Sequence, residues 1–144
     1  MRNWWNHASK MMRKLLLPLV LLLTLSIAFA EEPAPEITFL KTSHDFGTFT
    51  TQNPVQTCTF KFTNTGNAPL YISQAIASCG CTVPTYTDKP VQPGDTGKIE
   101  VKYNGTGRYP GHFKKTITVT TNTKKRYSRL FIEGVMNNTE ENKK

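Results

Sequence analysis

Beyond residue 30 the sequence has no stretch of helical periodicity, no internal repeat and only two histidines, His44 and His112. Each absence removes a class of function. With no helix to follow it, Gly105-Thr106-Gly107 is not a phosphate-binding loop. With so little imidazole, Ser78 and the cysteines have no evident oriented base, and a hydrolytic set is unsupported. His44 and Asp45 are neighbours on a strand, where successive side chains point to opposite faces. Asp45 therefore reads as a cap on backbone amides rather than as a partner of the imidazole. Basic residues are scattered except for Lys124-Lys125-Arg126, which reads as a solvated hairpin tip, so no nucleic-acid partner is expected.

What precedes residue 31 is of a different kind. Arg2, Lys10, Arg13 and Lys14 lead into a nearly continuous apolar run from Leu15 to Ala30 that ends in Ala28-Phe29-Ala30. A positive start, a short apolar core and small residues at the cleavage positions are the pattern of a secretory signal peptide. Residues 1–30 are expected to be removed, with retention as a membrane anchor as the alternative. The apolar run falls short of the ~20 residues that a span needs, so no membrane span is expected after cleavage. No cysteine lies at the cleavage point, which argues against a lipoprotein anchor. The leader carries four of the 18 basic residues and none of the 10 acidic ones, so the formal charge of the remainder is +4 in place of +8. That is an ordinary solubilising charge.

In the remainder, residues 31–36 read as a flexible N-terminal segment, residues 37–136 as one domain and residues 137–144 as a disordered polar tail. Within the domain, short apolar runs alternate with polar residues between turn signals, the signature of strands. Cys58, Phe60 and Phe62 share one face, with Thr57, Thr59, Lys61 and Thr63 on the other. Ile37–Leu40 forms a first strand, and Phe46 and Phe49 mark a short second one. Further strands hold Leu70, Ile72 and Ala75-Ile76; then Ile99, Val101 and Tyr103; then Phe113, Ile117 and Val119; then Leu130 and Ile132. Asn64-Thr65-Gly66-Asn67 supplies a turn, with Gly66 or Asn67 at positive φ. Seven or eight short strands in a chain of this length predict an all-β, immunoglobulin-like sandwich of two antiparallel sheets, with a small closed barrel as the alternative. Tyr71, Tyr86, Tyr103, Tyr109 and Tyr127 read as cover for sheet edges, with a recognition surface as the alternative.

Three cysteines remain, and export permits disulfides. Cys58 lies on the face of Phe60 and Phe62 and reads as a small buried hydrophobe; a bond to Cys79 or Cys81 is the alternative. Cys79-Gly80-Cys81 is the least ordinary feature of the chain. As a disulfide it closes a small, strained ring. As two thiolates bent together at Gly80 it suits a soft metal, Cu(I) or Zn(II). His44, His112, Met136 and Cys58 are the remaining candidate ligands. Structural, metal-binding and thiol-redox readings of Cys79 and Cys81 all stand at this point.

The succession His44-Asp45-Phe46-Gly47, Phe60 to Gly66, Pro69-Leu70-Tyr71-Ile72, Ser78-Cys79-Gly80-Cys81-Thr82, Pro93-Gly94 and Ile132-x-Gly134-Val135 resembles the bacterial family known as domain of unknown function 1573. The resemblance covers Phe39 to Val135. It implies an exported Ig-like domain, similar to ASH and MSP-like domains, and a periplasmic or secreted location in the cell envelope. It implies no established activity and no role for Cys79 and Cys81. The resulting expectation is a non-enzymatic interaction or structural module of the envelope with an envelope or secreted protein as partner. A metal-binding or thiol-redox protein is the alternative.

Overall fold

The structure, a computed structural model, describes residues 32–138. The expected signal peptide and the last six residues of the expected tail lie outside the described residues. Eight strands follow one another: β1 (Ile37–Phe39), β2 (Ser43–Thr50), β3 (Val55–Asn64), β4 (Ile72–Ala77), β5 (Thr82–Tyr86), β6 (Thr96–Asn104), β7 (Gly111–Thr121) and β8 (Tyr127–Asn137). They form two four-stranded sheets, ordered β1-β3-β6-β5 and β2-β8-β7-β4. The fold is an all-β, Ig-like sandwich, and the barrel alternative falls because the two sheets remain separate. Among the described residues there is no helix long and apolar enough to cross a membrane.

Alternation produces the core. On β3, Cys58, Phe60 and Phe62 are buried while Thr57 and Lys61 are exposed. On β6, Ile99, Val101 and Tyr103 are buried between Lys98, Glu100 and Lys102. From the other sheet Ile117, Val119, Leu130, Ile132 and Met136 meet them. Full burial of each large aliphatic or aromatic side chain contributes about 1.5–3 kcal/mol relative to exposure. Gly97 pairs with Phe62, and a methyl group there would overlap the Phe62 ring. Tyr103 is not edge cover: it is 3% exposed and stacks on Phe113 with centroids 4.0 Å apart.

Three features depart from expectation. First, the sheets are not both antiparallel. After β1 pairs antiparallel with β3, the chain crosses to the other sheet, where β2 pairs parallel with β8. Second, Thr82–Tyr86 is a strand although it contains a proline, in a stretch to which the sequence pattern assigns none. Third, the turn after β3 has no residue at positive φ. The Asn64 side chain shapes it instead. Buried Asn64 accepts at Oδ1 from the N–H of Gly66 (3.0 Å) and Glu36 (3.3 Å), and donates from Nδ2 to the carbonyls of Ala68 (2.7 Å) and Val91 (2.9 Å). Residues 34–36, expected as flexible, are tied to this turn at Glu36 and at Ala34, which donates to Asn67 Oδ1 (2.7 Å) and accepts from Asn67 N (3.1 Å).

Candidate functional site

Among the described residues four strands have a free edge: β1 and β5 in one sheet, β2 and β4 in the other. A free edge offers unpaired backbone groups to any extended chain, and proteins usually blunt it. β1 is only three residues long. β2 is interrupted between Asp45 and Thr48, where Gly47 takes φ 65° and donates its N–H to Asp45 Oδ1 at 2.8 Å. Asp45 thus caps a backbone amide.

β5 is blunted by Pro84. In an antiparallel pair alternate residues point their N–H and C=O at the partner. Asn104 N donates to Cys81 O (2.8 Å) and Thr87 N to Lys98 O (3.1 Å), so the odd-numbered residues of β5 face β6. Pro84 is at an outward position, where its missing N–H removes a donor from the free edge and none from the ladder.

β4 has no such device along most of its length. Ser78 N donates to Thr116 O at 2.8 Å, which puts Gln74, Ile76 and Ser78 in bonding register with β7. Ala75 and Ala77 therefore direct their N–H and C=O outward. Near the start of the strand the Tyr86 hydroxyl covers Ser73 O (3.3 Å); from Gln74 to Ala77 the edge is regular and free of proline. Ile76 is 53% exposed beside it.

The open edge ends in Cys79-Gly80-Cys81, at the corner where the chain leaves β4 for β5 in the opposite sheet. Thr116 N donates to Ser78 Oγ (3.2 Å), a hydroxyl standing where a carbonyl would continue the ladder. Thr82 N closes the corner on Cys79 O (3.2 Å). The Cys79 and Cys81 sulfurs are joined as a disulfide, with Cα atoms 5.2 Å apart. Cys79 is half-buried and Cys81 only 6% exposed. The buried Thr82 hydroxyl lies 3.6 Å from Cys79 Sγ and 3.8 Å from Cys81 Sγ. Gly80 is exposed, keeps out of the left-handed region, and a methyl group there would touch nothing within 4 Å. The corner does not require the special backbone freedom of glycine.

The other candidate residues are dispersed. Cys58 is free and buried, so the Cys58–Cys79 and Cys58–Cys81 bonds are not formed. Burial, partly opposed by Lys41, pushes its thiol up to about 11. His44 accepts at Nδ1 from Lys41 Nζ (2.9 Å) and lies edge-on to Phe46. Burial first, and Lys41 second, lower its pKa against the opposing pull of Asp45. His112 is exposed on β7, opposite Val135, and Met136 is buried in the core. Among the described residues no three His, Cys, Asp or Glu side chains come together as a metal-holding group. Cu(I) or Zn(II) would meet thiolates at 79 and 81 only after the disulfide is reduced.

Residues 37–136 match the model of a family described as a protein of unknown function, DUF1573. No curated protein matches the chain. Among solved structures it is similar to a protein of unknown function from Porphyromonas gingivalis W83, with TM-score 0.62 and 12% identity over 75% of this chain and 50% of that one. It is similar to the ASH / PapD-like domain 7 of human CEP192, with TM-score 0.57 and 12% identity over 78% and 93%. The periplasmic chaperone SfaE gives TM-score 0.51 and 10% identity over 72% and 58%. The chain thus spans half the length of the first of these and less than two thirds of the last. At such identities the likeness is one of fold.

Proposed function

The chain belongs to the DUF1573 family, and from that premise we propose that it is a non-enzymatic interaction module of the bacterial cell envelope. It takes an extended segment of an envelope or secreted protein as an added strand on the free edge of β4. The observation that carries this reading is the contrast among the four edges. β1 is short, β2 bulged and β5 closed by Pro84, while Ala75 and Ala77 leave donors and acceptors unpaired. Main-chain hydrogen bonds to such an edge supply affinity, and neighbouring side chains supply selectivity. Ile76 is placed to do the latter. The leader pattern and the fold shared with a periplasmic chaperone support the compartment.

The test is site-specific photo-crosslinking of the full chain in envelopes of its source bacterium, from position 74 on β4 and from position 85 on β5. A partner segment crosslinked from 74, absent from 85 and lost in Ala77→Pro supports the reading. Crosslinks indifferent to Ala77→Pro, in a variant whose circular dichroism and melting match the parent, would refute it. Proline is suited to this purpose because the Ala77 N–H takes no part in the ladder, as at Pro84 in the native chain.

A further inference from the structure

We infer that the Cys79–Cys81 disulfide is a thiol-exchange site that oxidises a pair of cysteines in the extended polypeptide seated on β4. The inference rests on the docking reading above for its substrate and on the corner itself for its chemistry.

A structural disulfide contributes by closing a long loop, and its effect falls as the loop shortens. This one closes over a single residue. It joins two positions already fixed in one turn by Thr82 N on Cys79 O and Asn104 N on Cys81 O, and it fastens no element to another. Its sulfurs are at unequal depth: half-buried Cys79 is the one within reach, beside exposed Gly80 with open space around it, and Cys81 is the inner one. Thr82 Oγ1 is near both, a hydroxyl able to donate to whichever sulfur becomes a thiolate. β4 ends at Ala77, two residues before Cys79, so a chain paired with Ala75 and Ala77 runs up to the corner that holds the less buried sulfur. The third thiol, Cys58, is buried and protonated at neutral pH and does not compete.

The step balances without a further oxidant. A partner thiolate attacks Cys79 Sγ, the Cys79–Cys81 bond breaks, and Cys81 leaves as a thiolate that takes up a proton. The partner's second thiolate then attacks the partner sulfur of the mixed disulfide and releases Cys79, which is protonated in turn. The partner's two thiols give up two electrons and two protons and become a disulfide; Cys79 and Cys81 receive both as two thiols.

The experiment uses the oxidised full chain and three probes: a synthetic Val/Thr-rich peptide with two cysteines, its serine counterpart, and reduced glutathione. Exchange is followed by acid quench, alkylation and mass. Docking raises the local thiol concentration, so the dithiol peptide is expected to reduce the bond about tenfold faster per thiol than glutathione. Ala77→Pro should bring the peptide down to the glutathione rate without altering the latter. Cys81→Ala, offered the oxidised peptide, should hold a mixed disulfide at Cys79, and Cys79→Ala should hold none at Cys81. If neither thiol reduces the bond across envelope redox potentials, the exchange site is refuted, while binding of the serine peptide reports separately on docking. Equal rates for peptide and glutathione would overturn the extended substrate.

Discussion

Two side chains decide more at the residue scale than their types suggest. Asn64 is fully buried and has its carbonyl and amide both occupied. Removing it takes the side-chain partner from the part-buried carbonyl of Ala68 and N–H of Gly66, and one of two donors from the carbonyl of Val91, which keeps the N–H of Leu70 (2.9 Å). Asn64→Ala is expected to cost about 2–4 kcal/mol, read as a lowered urea midpoint at unchanged slope. Cys58 makes a pH-dependent contribution. Its folded pKa of about 11 lies above the ordinary thiol value, so between roughly pH 9 and 11 the unfolded chain has lost a proton that the folded chain keeps. Stability contributed by the neutral thiol is present below that window and declines through it. Cys58→Ala should show a flatter fall in chemical stability from pH 8.5 to 11 than the parent. Native Cys58 should also resist iodoacetamide at pH 8 until denaturant is added.

Among elements, the instructive one is β5. Proline, a short run and polar alternation hide Thr82–Tyr86 in the sequence, because a proline ordinarily argues against a strand. Its position at an outward-facing edge register removes the objection, and register is a property of β5 and β6 together, not of the segment alone. Pro84→Val is expected to leave the monomer folded and to add a second open edge, seen as concentration-dependent association in sedimentation velocity. Unchanged sedimentation at high concentration would mean that Pro84 does not guard the edge. The strands that local pattern does reveal, such as Cys58-Phe60-Phe62 and Ile99-Val101-Tyr103, alternate strictly and face the core along their whole length. The parallel pairing of β2 with β8 escapes a sequence reading because its partners lie more than eighty residues apart. The Asn64 turn escapes for another reason: asparagine before glycine reads as backbone freedom at the next residues, whereas here the side chain does the work. The Cys-Gly-Cys spacing was plain, but burial and redox state, which separate a staple from a metal clasp or an exchange site, belong to the folded corner.

For the whole molecule, the two sheets share one core but differ in what they expose. One carries Lys61, Lys98, Glu100 and Lys102 on its outer face. The other carries a threonine row, Thr116, Thr118 and Thr120, beside the Lys114–Glu133 ion pair (3.1 Å). The open edge and the disulfide corner meet on the side where β4 and β5 end the two sheets. The inner half of the corner belongs to the core: Cys81 is buried with it, and Thr82 pairs across β5 and β6 with Tyr103 of the aromatic stack, while Cys79 is the less buried of the two cysteines. Reduction is expected to lower stability by no more than about 2 kcal/mol, the scale set by so short a closed loop, measured by calorimetry with and without reductant.

The parallel pairing of β2 with β8 has a mechanical consequence. Because the two strands run the same way, Ser43 and Asn137 lie at opposite ends of the pair. Tension applied through the chain ends drags the strands past each other, and all their hydrogen bonds carry load together instead of opening one by one. A molecule held at one end and pulled by a bound partner at the other would resist as a shear clip, and single-molecule extension from both ends should register that resistance as a distinct force peak.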